Sequence, residues 1–313
     1  MPPLGHGYCA EAWGEDKHQM QNRPLAAAGS ILAGMAIIGF IDQYVSVIAE
    51  TSSLWTFHLL RSFMMFALAG LFLLAIGRRL RVVNWPGLLG RSALNSTAMI
   101  IYFGSLGFMP VAQAAAGLFT APLWILVFSG VLFGLRVGPV LIMAVALGFL
   151  GVLLVLSPDP AQVAWVSFVP VAAGAFYGIA AIATREWCGQ EDPLALTLGI
   201  FGFLAIWGVV GIVLMGPGDS FLSRGWVAPS GQVWGFIALQ AVGSLVAVVL
   251  LTQGYLLAEA SLASVFEFSV LGFSALFGWL VLGQVTGPIG LFGLVLIALA
   301  GSVIAFRGER AAA

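Results

Sequence analysis

Four ionisable side chains stand inside long apolar stretches of this chain: Asp42, His58, Arg61 and Glu267. A charge in hydrocarbon is costly, so such groups face an interior cavity, pair with one another, or mark the path of an ion or substrate. Asp42 comes late in one apolar run and Arg61 early in the next. At 1.5 Å per residue, both fall roughly 10 Å below the same membrane surface and can pair across neighbouring helices. The plainer alternative has Arg61 snorkelling to that surface, with Asp42 attached to it for stability. His58 precedes Arg61 by three residues and shares its face. It is shallower, which suits a structural role at the interface.

Glu267 is the sharper candidate, lying roughly 9 Å inside its run. Helical spacing aligns it with Ala260, Ser264, Leu271, Ser274 and Gly278 in a small, partly polar stripe. Such a stripe either packs against a helix or lines a cavity. Glu267 and Asp42 are the candidates for holding a proton or cation. Neutral polar groups extend the set: Asn95 and Tyr102 with Ser105, Gln113 and Trp124 with Thr120, Tyr177 with Thr184, and Gln240 with Ser244. Each alone serves as well for an interhelical hydrogen bond. The expected substrate-contacting set is Asp42, Arg61, Asn95, Tyr102, Gln113, Trp124, Tyr177, Gln240 and Glu267.

No catalytic signature accompanies them. There is no Cys-x-x-Cys or His-Glu-x-x-His, and His6, Cys9 and His18 are too irregularly spaced to hold a metal. The glycine-rich stretches lack the Lys-Ser or Lys-Thr of a phosphate loop. The reading is a non-enzyme without cofactor or metal.

The elements that must carry these residues follow from composition. Hydrophobic residues make up 61% of the 313, charged residues 8%, and mean hydropathy is +1.06. A soluble domain carries about 25% charged residues, so the solvent here is lipid. Continuous apolar runs of about 20 residues read as membrane-crossing helices, and the lack of alternation excludes an outer-membrane barrel. Ten spans fall near 26–48, 54–76, 92–109, 111–133, 138–156, 165–184, 194–215, 233–256, 261–282 and 288–306. Segment 1–24 reads as a cytoplasmic extension, not a cleavable signal, and 307–313 as a cytoplasmic tail. With both termini inside, Lys17, Arg23, Arg78, Arg79, Arg81, Arg91, Arg136, Arg185, Arg307 and Arg310 face the cytoplasm and only Arg224 faces out. Cys9 and Cys188 fall on the reducing side, so no disulfide is expected. The loop from Trp187 to Pro193 carries no evident role. There is no basic patch for nucleic acid; small-residue stripes permit a homodimer.

The chain also repeats itself. Phe119, Phe128, Gly134, Gly138 and Pro139 recur at one fixed offset as Phe268, Phe277, Gly283, Gly287 and Pro288. Each copy reads as an apolar helix, a Gly-Pro turn and a second apolar helix. Arg136 marks the first turn, whereas the second (Gly283 to Pro288) is uncharged, and five spans per half force the second half to start from the opposite face. The expectation is two inverted five-helix repeats, 25–158 and 159–306, an architecture of carriers.

The stretch Ala112 to Pro158 resembles the drug/metabolite transporter superfamily, specifically the EamA family. Its marks are Ala121-Pro122-Leu123, the Gly-x-x-x-Gly-Pro turn and Gly148-Phe149-Leu150-Gly151-Val152, with further matches at Asp42, His58-Leu59-Leu60-Arg61, Thr184-Arg185 and Phe266-Glu267-Phe268. Leu135 and Gln284 stand where the family commonly has turn glutamates, and Ser46 where it often has a lysine. The pattern is most similar to the branch with S-adenosylmethionine uptake carriers. The resemblance implies a secondary carrier of a small polar or amphipathic metabolite in a bacterial-type inner membrane. Spans one to four and six to nine would surround the cavity, with Glu267 or Asp42 coupling a proton. An exporter or facilitator without ion coupling is the alternative; a non-transporting membrane protein or lipid-modifying enzyme is more remote.

Overall fold

The computed structural model describes residues 23–106, 108–109, 111–135, 137–157 and 164–312. The N-terminal extension with His6, Cys9, Lys17 and His18, the turn residue Arg136 and Pro110 lie outside the described residues. Among the described residues every regular element is helical, in ten rods: Pro24–Thr51, Leu54–Ala75, Trp85–Ser105, Gln113–Val131, Pro139–Leu156, Trp165–Glu186, Pro193–Leu214, Gly231–Leu257, Ala260–Val281 and Pro288–Ala312. Nine of them are long and apolar enough to cross a membrane. The third, although 21 residues long, is not among the nine; its sequence puts Arg91, Ser92, Asn95, Ser96 and Thr97 in the middle of the rod. It also begins at Trp85 and not near 92, because Asn84 caps it: its Oδ1 accepts the Gly87 N–H at 3.1 Å.

Serines, aspartate and prolines set the other starts. Ser53, Asp192 and Ser230 accept N–H groups of the first turns of the second, seventh and eighth rods. Prolines open the fifth and tenth rods at Pro139 and Pro288, positions where the missing N–H costs nothing. The turns before those two rods are closed alike. Gly134 and Gly283 adopt left-handed backbone at φ 64° and 67°, and Leu135 and Gln284 donate back to Ser129 and Gly278 at 2.8 and 3.1 Å.

Three rods are broken within their length. The first passes through a 3-10 turn at Asp42–Tyr44. The fourth breaks between Leu118 and Ala121, and the ninth at Phe268. Phe119 and Phe268 occupy equivalent places in those two breaks, and their rings meet edge-on at 6.2 Å. Packing follows the same pairing. The first rod lies on the eighth and ninth; the sixth lies on the third and fourth; second pairs with seventh and fifth with tenth. The last pair crosses closely: a Cβ on Gly151 would stand 2.6 Å from the Gly293 carbonyl oxygen, and one on Gly293 as close to that of Gly151.

The rods turn large apolar side chains outward, such as Phe63, Leu74, Val213 and Leu280. They bury Arg61, Arg91, Asn95, Gln240 and Glu267 inward. This is the reverse of a water-soluble protein and fits a lipid-facing exterior. The chain is an all-α integral membrane protein.

The two ends differ. At one, Arg23 donates to Leu257 O, and the loop after the second rod is tied to the loop after the sixth. Glu191, 5% exposed, accepts the Val83 and Asn84 N–H groups. Asn84 Nδ2 donates to Trp187 O at 2.9 Å, and Arg78 pairs with Asp192 at 2.7 Å. The 187–193 loop, featureless in sequence, thus latches onto the segment from Arg78 to Asn84. At the other end Arg224 donates to Glu50 O and Ser52 O, both at 3.1 Å.

Candidate substrate site

Between the rods lies a cavity of about 430 Å³, within the usual ligand-pocket range of about 300–1,000 Å³. Its wall is mainly apolar, with Phe103, Phe119 and Phe201 among its aromatics. Polar groups gather at two levels. Near the Arg224 end are Asp42, Gln43, Arg61, Tyr102 and Ser274; near the latch are Arg91, Tyr177, Thr184, Thr252, Tyr255 and Glu267, with Asn95 one turn from Arg91.

Of the nine expected contacts, Asp42, Arg61, Asn95, Tyr102, Tyr177 and Glu267 border the cavity. The other three do not. Gln113 donates to Ser167 Oγ at 2.7 Å, and Trp124 stacks on Phe128 with ring centres 5.3 Å apart. Gln240 is buried and donates to Ile41 O at 2.8 Å, bracing the break that presents Asp42. Their sequence signal was a polar or flat group on a helix face, and that signal fits an interhelical contact equally well.

Arg61 does not snorkel. It is 5% exposed, its guanidinium lies 4.5 Å from the Phe57 ring centre and 5.1 Å from that of Phe201, and Nη2 meets His58 Nδ1 at 3.0 Å. His58 is itself fully buried. Asp42 and Arg61 share the cavity and influence each other electrostatically, but among the described residues the ion pair Arg78–Asp192 stands alone, so the two make no direct contact. Asp42 is deep in the protein yet accessible, because it opens onto the cavity.

Glu267 ends the first half of the broken ninth rod, where the helix interruption turns it into the cavity. Tyr177 donates to its Oε1 at 2.7 Å. The Tyr255 hydroxyl lies beside both but completes no well-formed hydrogen bond. Among the described residues no three His, Cys, Asp or Glu side chains cluster as metal ligands.

Sequence reasoning placed Arg91 in a cytoplasmic segment; the structure moves it to the cavity. It is 3% exposed, donating from Nε to Thr184 Oγ1 at 2.8 Å, from Nη1 to Leu196 O at 3.1 Å and from Nη2 to Thr252 Oγ1 at 3.4 Å. A signal was available. Arg91 stands four residues before Asn95 and extends the Asn95–Tyr102 face; starting the third span too late hid it.

From this latch-side cluster the cavity continues past Gln43, Leu156, Leu271 and Ser274, which also border a second cleft under the Gln284–Gly290 turn.

No family model matches the chain. A riboflavin transporter of Rhizobium johnstonii is 26% identical over 291 residues, 91% of this chain and 92% of that protein. The pseudopaline exporter CntI of Pseudomonas aeruginosa is 25% identical over 217 residues, 69% of this chain and 73% of the exporter. A riboflavin transporter of Vibrio cholerae is 26% identical over 179 residues, 56% of each chain. One crystal structure superposes with a TM-score of 0.75 at 17% identity, covering 90% of this chain and 98% of that one, which speaks for the fold alone. The fold, its polar cavity and these relatives together support one class, a multi-pass membrane transporter for small molecules.

Proposed function

We propose that the chain is a secondary carrier of the drug/metabolite transporter type, similar to EamA permeases, that moves a small amphipathic metabolite across a bacterial cytoplasmic membrane by alternating access. It is not an enzyme. One observation carries this: the polar-and-aromatic cavity sits where two equivalent broken helices meet, and in carriers discontinuous helices mark the central site. The halves 25–158 and 159–306 act as inverted repeats. The equal offset of the Phe119 and Phe268 breaks, of Gly134 and Gly283, and of Pro139 and Pro288 supports that reading, as does the exchange-symmetric packing. The latch end, with Arg23, Arg78, Arg79 and Arg81, is cytoplasmic by the positive-inside rule. Asp42, Arg61, Asn95, Tyr102, Tyr177 and Glu267 contact substrate, and Glu267 or Asp42 carries a coupled proton.

The test is counterflow in proteoliposomes with riboflavin, S-adenosylmethionine and amino acids as candidate solutes. Protein-dependent exchange of one solute supports the carrier; vesicles that exchange none of them count against it. Coupling is tested separately. Flux indifferent to a pH gradient and unchanged in Glu267→Gln and Asp42→Asn removes the proton and leaves the facilitator or exporter reading.

A further inference from the structure

Arg91 is a buried cation without an anion. Its hydrogen-bond acceptors are two threonine hydroxyls and a peptide carbonyl, the neutral Cys188, Tyr177 and Tyr255 side chains stand nearby, and no carboxylate among the described residues lies within ion-pair distance. A guanidinium carries five N–H donors, and the three hydrogen bonds leave two unused; the bond to Thr252 is long at 3.4 Å. The residue borders the cavity. A charge removed from water without a partner is costly, so the arrangement is complete only when something else supplies the negative charge. The nearby Tyr255 hydroxyl, also on the cavity wall, is buried beside Tyr177 and Glu267 but completes no well-formed hydrogen bond.

Glu267 does not supply that charge. It points to Tyr177, which stands between the two and donates to the carboxylate at 2.7 Å. Arg61 offers a contrast in the same cavity, since ring faces, His58 and the field of Asp42 surround it. Beyond Arg91 the wall turns apolar and aromatic, with Met99, Phe103, Phe119 and Phe201.

We propose that the latch-side end of the cavity is an anion-recognition site: Arg91 and the Tyr255 hydroxyl bind the carboxylate of an amphipathic organic anion whose apolar body lies against the aromatic wall. This deepens the carrier reading and rests on it for the claim that the ligand is cargo. Arg91 is then the specificity-determining residue. Planar guanidinium forks match carboxylates in a two-point contact, which lysine does not reproduce.

The experiment uses the purified full-length protein and three probes sharing one ring: 3-indolepropionate, its neutral amide, and the corresponding primary amine. Binding is read by thermal stabilisation and isothermal titration calorimetry. The carboxylate is expected to bind at least ten-fold more tightly than the amide, with the amine weakest. Arg91→Gln should remove that preference by lowering carboxylate affinity to that of the amide, and Arg79→Gln, exposed and outside the cavity, should retain it. Arg91→Lys should recover part of the affinity. Equal binding across the three probes, no binding of the carboxylate at millimolar concentration, or a preference that survives Arg91→Gln overturns the proposal. If Arg91→Gln does not fold, the order among the probes on the unaltered protein decides. None of these readings requires flux, so loss of counterflow with the preference intact counts against the carrier and not against the anion site.

Discussion

Arg61 and Arg91 are both buried in one cavity wall, and the protein treats them in opposite ways. Arg61 is held between aromatic faces, against His58 and within the field of Asp42. Arg91 has only neutral acceptors, which leave two of its five N–H donors unused, and it borders the cavity. The first cation is already partnered by the protein; the second, on the proposal above, is completed by a ligand. A buried charge is informative less for being present than for what stands opposite it.

The comparison predicts unequal costs. Arg61→Leu strips His58 of its partner and removes the cation from its rings, and should destabilise by about 2–3 kcal/mol. Arg91→Leu deletes an uncompensated charge along with its hydrogen bonds, two terms that offset, and should cost less than about 1 kcal/mol in the unliganded protein. Denaturation in mild detergent measures both. Equal losses would erase the distinction between the two arginines.

A second expectation concerns the latch below Arg91. Cys188 is 1% exposed, and burial pushes its thiol up to about 11. At pH 8 it is therefore protonated and inert toward maleimide, and its reactivity should rise with pH as the thiolate forms. Glu191→Ala leaves the Val83 and Asn84 N–H groups without their acceptor, a loss of about 1–3 kcal/mol. In a Cys9→Ser background it should raise the alkylation rate of Cys188 at least about ten-fold. An unchanged rate would mean the loop does not hold this end shut.

The smallest expected difference is between the two Gly-Pro turns. Gly134→Ala and Gly283→Ala each place a side chain in left-handed backbone, at a cost of about 1–2 kcal/mol. If the turns are equivalent, the costs match within about 0.5 kcal/mol.

Much of this was legible before any coordinates. The ten rods came from apolar length, and the Gly-Pro duplication pointed to the two turns that proved alike in backbone. Glu267 was conspicuous because an acid in an apolar run has few structural uses. Arg91 escaped because a charge near the end of an apolar run looks like a loop residue, and only the Asn84 cap shows that the helix began earlier. Gln113, Trp124 and Gln240 were misleading for the complementary reason: periodicity assigns a face to a residue but not the neighbour it meets. The 187–193 latch was illegible because Glu191 acts on backbone N–H groups of a distant loop, which no side-chain pattern records.

The central claim is that the cavity is a binding site reached alternately from the two membrane faces. Asn95→Cys, in a background with Cys9→Ser and Cys188→Ser, places one thiol at mid-cavity. It can be labelled with a membrane-impermeant methanethiosulfonate in intact cells and in inverted vesicles. Alternating access predicts labelling from both faces, slowed from both by a bound cargo. A thiol protected from both faces, or reached from one face under every condition, would contradict the account.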